Sequence, residues 1–202
     1  MKARDPCSGT LSRWTLSSEL KYLVSDWLIR PRRSRLWRRP SPGLGVLRHT
    51  VPAGIDWARV EECLTTELPS DYKLLANSYP SLAFGDFLCV GFPIPGQERA
   101  WSEDPEGLEI LAEWCADAEM STPLHPFPAP GGLLPWATSN QGDYFLWNTT
   151  GSGPDSWTVT VASRSGGWWH YTGGAVQFLA DLISGALELW ELPSVRPHVE
   201  AF

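Results

Sequence analysis

Apolar positions recur along this chain with two periods, first helical and then strand-like. Leu20, Leu23, Val24, Trp27 and Leu28 follow the i, i+3, i+4, i+7, i+8 spacing, which predicts a short amphipathic helix near 18–29. Ser17 or Ser18 can cap it, and Glu19 suits its first turn. The stretch "GIDWARVEECLTTELPSDYKLLANSYP" predicts a pair of helices. Asp56 caps the first, Ile55 staples to Val60, and the helix runs to about Thr66. Leu68-Pro69 breaks it. Ser70 or Asp71 opens the second, with Tyr72, Leu75, Ala76 and Tyr79 along one face. A strand is expected around Phe87–Val90. Asp104-Pro105 reads as a cap followed by a first-turn proline, and Leu108, Leu111, Ala112 and Cys115 share a face, so an inserted helix is expected near 105–118.

Period two then takes over. Leu133–Thr138, Tyr144–Asn148, Trp157–Ser163 and Trp168–Tyr171 read as four short strands. In "WTVTVAS" the residues Trp157, Val159 and Val161 alternate with Thr158, Thr160 and Ala162, the pattern of a sheet with one buried face. Ser165-Gly166-Gly167 turns the chain into the last of these strands. Ala175, Phe178, Leu179, Leu182, Ile183 and Ala186 form a wide apolar stripe, so a closing helix should lie across the sheet. One more short strand is expected around Leu189–Leu192.

Composition sharpens this picture. A chain of 202 residues with 43% hydrophobic residues can bury a sizeable core, and one main domain with an extension is the default. Pro and Gly number 18 each, more than the usual ~12% combined, which implies many turns. Charge divides the chain. Residues 1–48 hold eleven Lys/Arg against three Asp/Glu, a balance of +8, and residues 49–202 hold five against twenty, a balance of −15. The arginine- and proline-rich run "RPRRSRLWRRPSPGLG" marks residues 1–48 as a basic, partly disordered extension. A strongly acidic domain repels nucleic acid and attracts a basic partner.

Candidate chemistry is sparse. Cys7, Cys63, Cys89 and Cys115 have no C-x-x-C spacing, and they read as reduced residues. No secretory signal and no apolar run long enough to span a membrane is visible, so a cytoplasmic location is expected. His49, His125, His170 and His198 are scattered, without zinc spacing, and no G-x-S-x-G elbow occurs. The stretch "SNQGD" (139–143) sets amides and a carboxylate beside a glycine. It lacks the lysine and following helix of a phosphate loop, and its composition is that of a hairpin turn. Asp86 and Asp143 both follow glycine and precede an aromatic, which turn chemistry explains, though a polar cluster built from the two loops stays open. Neither a catalytic residue, a metal nor a cofactor is expected. Binding through acidic side chains around an exposed aromatic is the alternative, with Trp101, Glu103, Asp104, Glu106, Glu109 and Glu113 as candidates.

The order of elements, together with "LPSDYKLLANSYP", "LLPWATSNQGDYFLWN", "WTVTVAS" and "GGAVQFLADLISG", resembles the SUKH superfamily of Smi/Knr-type domains over roughly residues 55–187. Leu68, Pro69 and Tyr72 are similar to the family's Leu-Pro-x-x-Tyr junction. Gly142 and Asp143 are similar to its Gly-Asp, and Phe178 and Leu179 to its Phe-Leu. Tyr79-Pro80 departs from the family's frequent Tyr-Gly. The resemblance implies an α+β domain over 49–202, with a mostly antiparallel sheet, an N-terminal helix pair, the inserted helix and the closing helix. It also implies a non-enzymatic role: an immunity protein that neutralises a nuclease-type toxin, or alternatively a regulatory scaffold without a toxin partner.

Overall fold

A computed structural model describes residues 44–103, 107–118, 123–188 and 190–202. The helix expected near 18–29 lies outside the described residues. The domain is α+β, built on one seven-stranded antiparallel sheet. In chain order the elements are α1 (Leu44–Leu47), α2 (Trp57–Leu64), α3 (Ser70–Ser78), β1 (Leu82–Phe84), β2 (Leu88–Val90), α4 (Glu98–Glu103), α5 (Leu108–Asp117), β3 (Leu133–Ser139), β4 (Tyr144–Asn148), β5 (Thr158–Ala162), β6 (Trp168–Tyr171), α6 (Ala175–Ser184) and β7 (Val199–Ala201). The strands lie in the order β6-β5-β4-β3-β2-β1-β7. Leu44 is buried in the main core, so the packed body includes residues ahead of position 49.

The helix pair forms as its sequence signals dictate. Asp56 caps α2 by accepting the Arg59 N–H at 3.1 Å, and Thr65 ends the helix in the left-handed region at φ 56°. Ile55 and Val60 are both in the core, as the staple requires. Pro69 stands at the N-cap of α3, where its fixed φ suits helix entry and its missing N–H costs nothing. Leu68 and Tyr72, flanking it, are each only 1% exposed.

Both sheet faces are covered, by different elements. Phe145 and Trp147 of β4, Val159 and Val161 of β5, and Leu134 and Trp136 of β3 face α2, α3 and α6. Leu133, Leu146 and Ala162 point the other way, into a smaller cluster with Leu111 and Cys115 of α5, flanked by Trp114 and Tyr144. The one-faced expectation for "WTVTVAS" is therefore corrected. Thr160 is fully buried and donates to or accepts from His170 Nδ1 at 2.8 Å.

Two further expectations are revised. The inserted helix starts at Leu108, and a separate six-residue helix α4 precedes it. Gly107 stands before α5 at φ 83°, against the ring of Tyr144. A Cβ there would meet Tyr144 Oη at 2.3 Å, so only glycine fits at this approach. Trp190 to Leu192 form a turn rather than a strand; Leu189 lies outside the described residues. The final strand is β7, which pairs antiparallel with β1 and places Leu82 opposite Ala201.

Helix α4 is held by one carboxylate. Glu98 Oε1 accepts the Asp56 N–H at 3.2 Å and the Gly96 N–H at 3.0 Å, tying the start of α4 to the cap of α2. Its own backbone N–H first, and then those of Gly96 and Asp56, favour the charged form and hold Glu98 below its ordinary 4.5. A depressed folded-state value gives stability above the unfolded value that is lost as pH falls through the folded one. Glu98→Gln is therefore expected to melt lower than wild type at neutral pH, with the gap closing as the solution is acidified below about pH 4. A gap of constant size across a pH series of thermal melts would show that charge on Glu98 is immaterial.

Candidate functional site

The "SNQGD" stretch closes the β3–β4 hairpin. Gly142 adopts φ 92°, and the Ser139 N–H donates to the Asp143 carbonyl at 2.9 Å. Asp143 is buried, and its carboxylate is occupied by protein donors. Ser139 Oγ donates to Oδ2 at 2.6 Å, and the Arg164 N–H donates to Oδ1 at 3.1 Å. Arg164 also returns a bond from Nη1 to the Gln141 carbonyl at 3.1 Å. The loop of Asp86, itself at φ 56°, lies alongside: Asn140 donates from its side chain to the Asp86 carbonyl and from its backbone to the Phe87 carbonyl. The two glycine–aspartate loops thus do meet. What joins them is an amide bonded to backbone carbonyls, with the Asp143 carboxylate turned to its own hairpin and to Arg164.

Most other carboxylates also have internal work. Glu61 Oε1 accepts Lys73 Nζ at 2.7 Å and the Leu68 N–H at 2.9 Å, bridging α2 to the start of α3. Asp155 accepts the Ser70 N–H at 2.6 Å and Asp71 the Tyr72 N–H at 2.7 Å, both at the N-terminus of α3. Burial, and secondarily the nearby Asp155, push the Asp71 carboxyl upward, while the Tyr72 N–H pulls it back. Asp181 accepts Tyr171 Oη at 2.6 Å and pins α6 to β6. Glu191 accepts Ser165 Oγ at 3.1 Å.

The candidate binding residues separate under this accounting. Trp101 is half-buried against the main core and donates from Nε1 to the Gly91 carbonyl at 3.2 Å, so it is an architectural residue rather than an exposed anchor. Glu103 is exposed but paired with Arg99 at 2.6 Å, and that bond holds its carboxyl below the ordinary range. Asp104 and Glu106 lie outside the described residues. Glu109 and Glu113 stand together on the outer face of α5, exposed and one turn apart.

Asp117, not singled out from the sequence, continues their line at the next turn. Among the described residues, none of these three carboxylates has a side-chain partner. Like charges at i, i+4 cost about 0.2–0.5 kcal/mol per pair, and an acidic residue in the last helical turn opposes the helix dipole. Helix α5 has no basic residue in its last turn to offset this. Its exposed arc also carries Ile110, 47% exposed, with Ala112 and Ala116 beside the carboxylates. The arrangement is a low-relief acidic face with one aliphatic knob, suited to cationic side chains at contact distance.

Two exposed aromatics, Trp190 and Phe202, were not singled out from the sequence. Trp190, 38% exposed, stacks on Trp169 with centroids 6.0 Å apart and planes at 15°, its own backbone at φ 45°. The residues that carry the family resemblance are interior or turn-forming. Leu68, Pro69, Tyr72, Phe178 and Leu179 are buried, and Gly142 and Asp143 build the hairpin. Among the described residues no group of three His, Cys, Asp or Glu side chains could hold a metal ion, and no helix is long and apolar enough to cross a membrane. Comparisons with protein-family models, with curated proteins and with solved structures find no match.

Proposed function

We propose that this chain is a non-catalytic, cytoplasmic protein-binding domain that captures a basic toxin domain of the nuclease type, the immunity role implied by its resemblance to SUKH domains. The observation that carries the reading is the outer face of α5, where Glu109, Glu113 and Asp117 stand exposed and without side-chain partners among the described residues. The balance of −15 over residues 49–202 adds a long-range field of the same sign. Such a field raises the association rate of a cationic partner by ~10–10³-fold, and a well-placed apolar contact such as Ile110 then slows its release.

The test is association kinetics with a toxin domain encoded beside this chain's gene. For wild type the on-rate is expected to fall steeply with salt. E109Q/E113Q is expected to lose most of that slope and to bind roughly tenfold more slowly at low salt, with little change in off-rate. An on-rate indifferent to salt would sink the acidic-face reading, and an intact slope in the variant would place the contact elsewhere.

A further inference from the structure

We infer that β6, the strand at one end of the sheet, is a self-association edge: two copies of this chain pair β6 antiparallel to β6 about a twofold axis beside Trp169, joining their sheets. The inference concerns the sheet edge, not the outer face of α5, and does not rest on the toxin-binding reading.

The hydrogen-bond ladder fixes what the edge offers. The β5–β6 hairpin closes with the Ser163 N–H donating to the Gly167 carbonyl at 2.8 Å, and the register then sets Val161 opposite Trp169 and Val159 opposite Tyr171. Bonded and non-bonded pairs alternate in an antiparallel ladder, so Trp169 and Tyr171 bond inward to β5. The N–H and C=O groups of Trp168 and His170 point out of the sheet. Among the described residues, no backbone group outside the sheet bonds to them. Sheet edges are usually blunted by lysine, proline, a bulge or a covering element. β7, at the opposite edge, is three residues long, carries the exposed Glu200 and packs beside α1. β6 reads Trp168-Trp169-His170-Tyr171, with no proline, lysine or bulge.

Two features select a second copy as the occupant. The first is charge. Residues 165–180 hold no Asp, Glu, Lys or Arg, in a domain whose balance is −15. Glu191 and Asp181, beside this segment, are occupied by Ser165 Oγ and Tyr171 Oη. A basic ligand gains nothing from a neutral edge, whereas two acidic copies can approach there without setting like charges together.

The second is self-complementarity. The register that uses every outward group of Trp168 and His170 sets Trp168 of each copy opposite His170 of the other. It also sets Gly166 and Gly167 opposite Thr172 and Tyr171, so the small end of each strand receives the large end of the other. Trp169 falls opposite its own copy in a non-hydrogen-bonded pair, the closer kind, at about 4.5 Å between Cα atoms. Gly167 and Trp169 share a sheet face, and the Trp190 ring lies 2.7 Å from where a Cβ on Gly167 would stand. Trp190 is 38% exposed, stacks on Trp169 and holds its backbone at φ 45°. That conformation costs about 1–3 kcal/mol for a bulky residue, and burying four indole rings together at the axis offsets it.

The experiment is sedimentation equilibrium of the full chain, with residue-level amide hydrogen exchange. A junction of one strand is small, so a dissociation constant of about 10–100 µM is expected. Mass should rise from that of one chain at about 1 µM towards that of two at about 1 mM. The Trp168 and His170 amides should exchange at least about tenfold more slowly at the high concentration, while those of Trp169 and Tyr171, bonded to β5, stay protected at both. H170P and H170A both lose the imidazole bond to Thr160, but only H170P loses the outward N–H. H170A is expected to associate within about threefold of wild type, and H170P at least about tenfold more weakly than H170A. The exchange measurement uses wild type and stands whether or not H170P folds. The mass of one chain at every concentration would overturn the inference. So would growth past two chains, since one edge per copy closes the assembly. Trp168 and His170 amides indifferent to concentration, or an H170P that associates like H170A, would overturn it by placing the contact elsewhere.

Discussion

Trp147→Ala is expected to lower stability by about 3–5 kcal/mol, the usual range for deleting a buried aromatic. Domains of this kind are stable by only about 5–15 kcal/mol, so the variant should sit near its unfolding midpoint at physiological temperature. Trp147 lies mid-sheet on β4, with no exposed surface. Its ring meets Tyr72 of α3 edge-on at 4.8 Å, Trp136 of β3 at 6.1 Å and Trp157, just ahead of β5, at 6.0 Å. Those neighbours belong to a helix and to strands whose spacing is set by the ladder, so they cannot close around the missing ring. Trp147→Phe should cost much less. It keeps a ring on Tyr72 and drops an indole N–H that has no protein acceptor among the described residues. Urea denaturation of the pair measures both. A loss below about 1 kcal/mol for the alanine variant would show that the aromatic cluster repacks as a fluid.

Asp143→Ala is expected to cost about 2–3 kcal/mol, because hydrogen bonds to a charged group contribute about 1.5–3 kcal/mol and the Ser139 hydroxyl stays buried when it is removed. Ser139 Oγ and the Arg164 N–H would both be left without the carboxylate. One anchors the β3–β4 turn and the other the β5–β6 turn, so the change should loosen two hairpins together. Asp143→Asn keeps the shape and one acceptor and should lose less. Chemical denaturation with hydrogen exchange on both hairpins checks this. An alanine variant as stable as wild type would mean that the carboxylate serves something other than the fold, and would reopen "SNQGD" as a ligand site.

The sequence carried the elements whose signals are local. Asp56 and the Ile55–Val60 staple mark α2, Leu68-Pro69 marks the junction, and the apolar run Tyr144–Trp147 marks β4, each found where expected. Elements defined by a distant partner left no comparable trace. All three residues of β1 are buried, so no alternation shows, and β7 exists only because β1 offers it an edge. Gly107, which stands ahead of α5, lies against Tyr144, far along the chain. The second buried face of β5 was hidden because Thr160 satisfies its hydroxyl through His170 instead of water. The same division holds at the candidate site. Glu109 and Glu113 could be read from helical spacing and charge. That Trp101 is tied inward depends on the Gly91 carbonyl, and that Glu103 is neutralised depends on which rotamer Arg99 takes.

The pairing of β7 with β1 also sets a clock. Leu82 and its partner Ala201 are 119 positions apart. At a synthesis rate of roughly 5–20 residues per second, the last strand emerges roughly 6–24 s after the first. Throughout that interval β2 can pair with β1 on one side, while the other side of β1 presents open N–H and C=O groups next to Leu82 and Phe84. An apolar edge of this kind is a template for pairing with a neighbouring chain. The nascent protein is thus most exposed to misassociation on crowded polysomes, and the few residues of β7, which bury little surface themselves, end that exposure by occupying the edge.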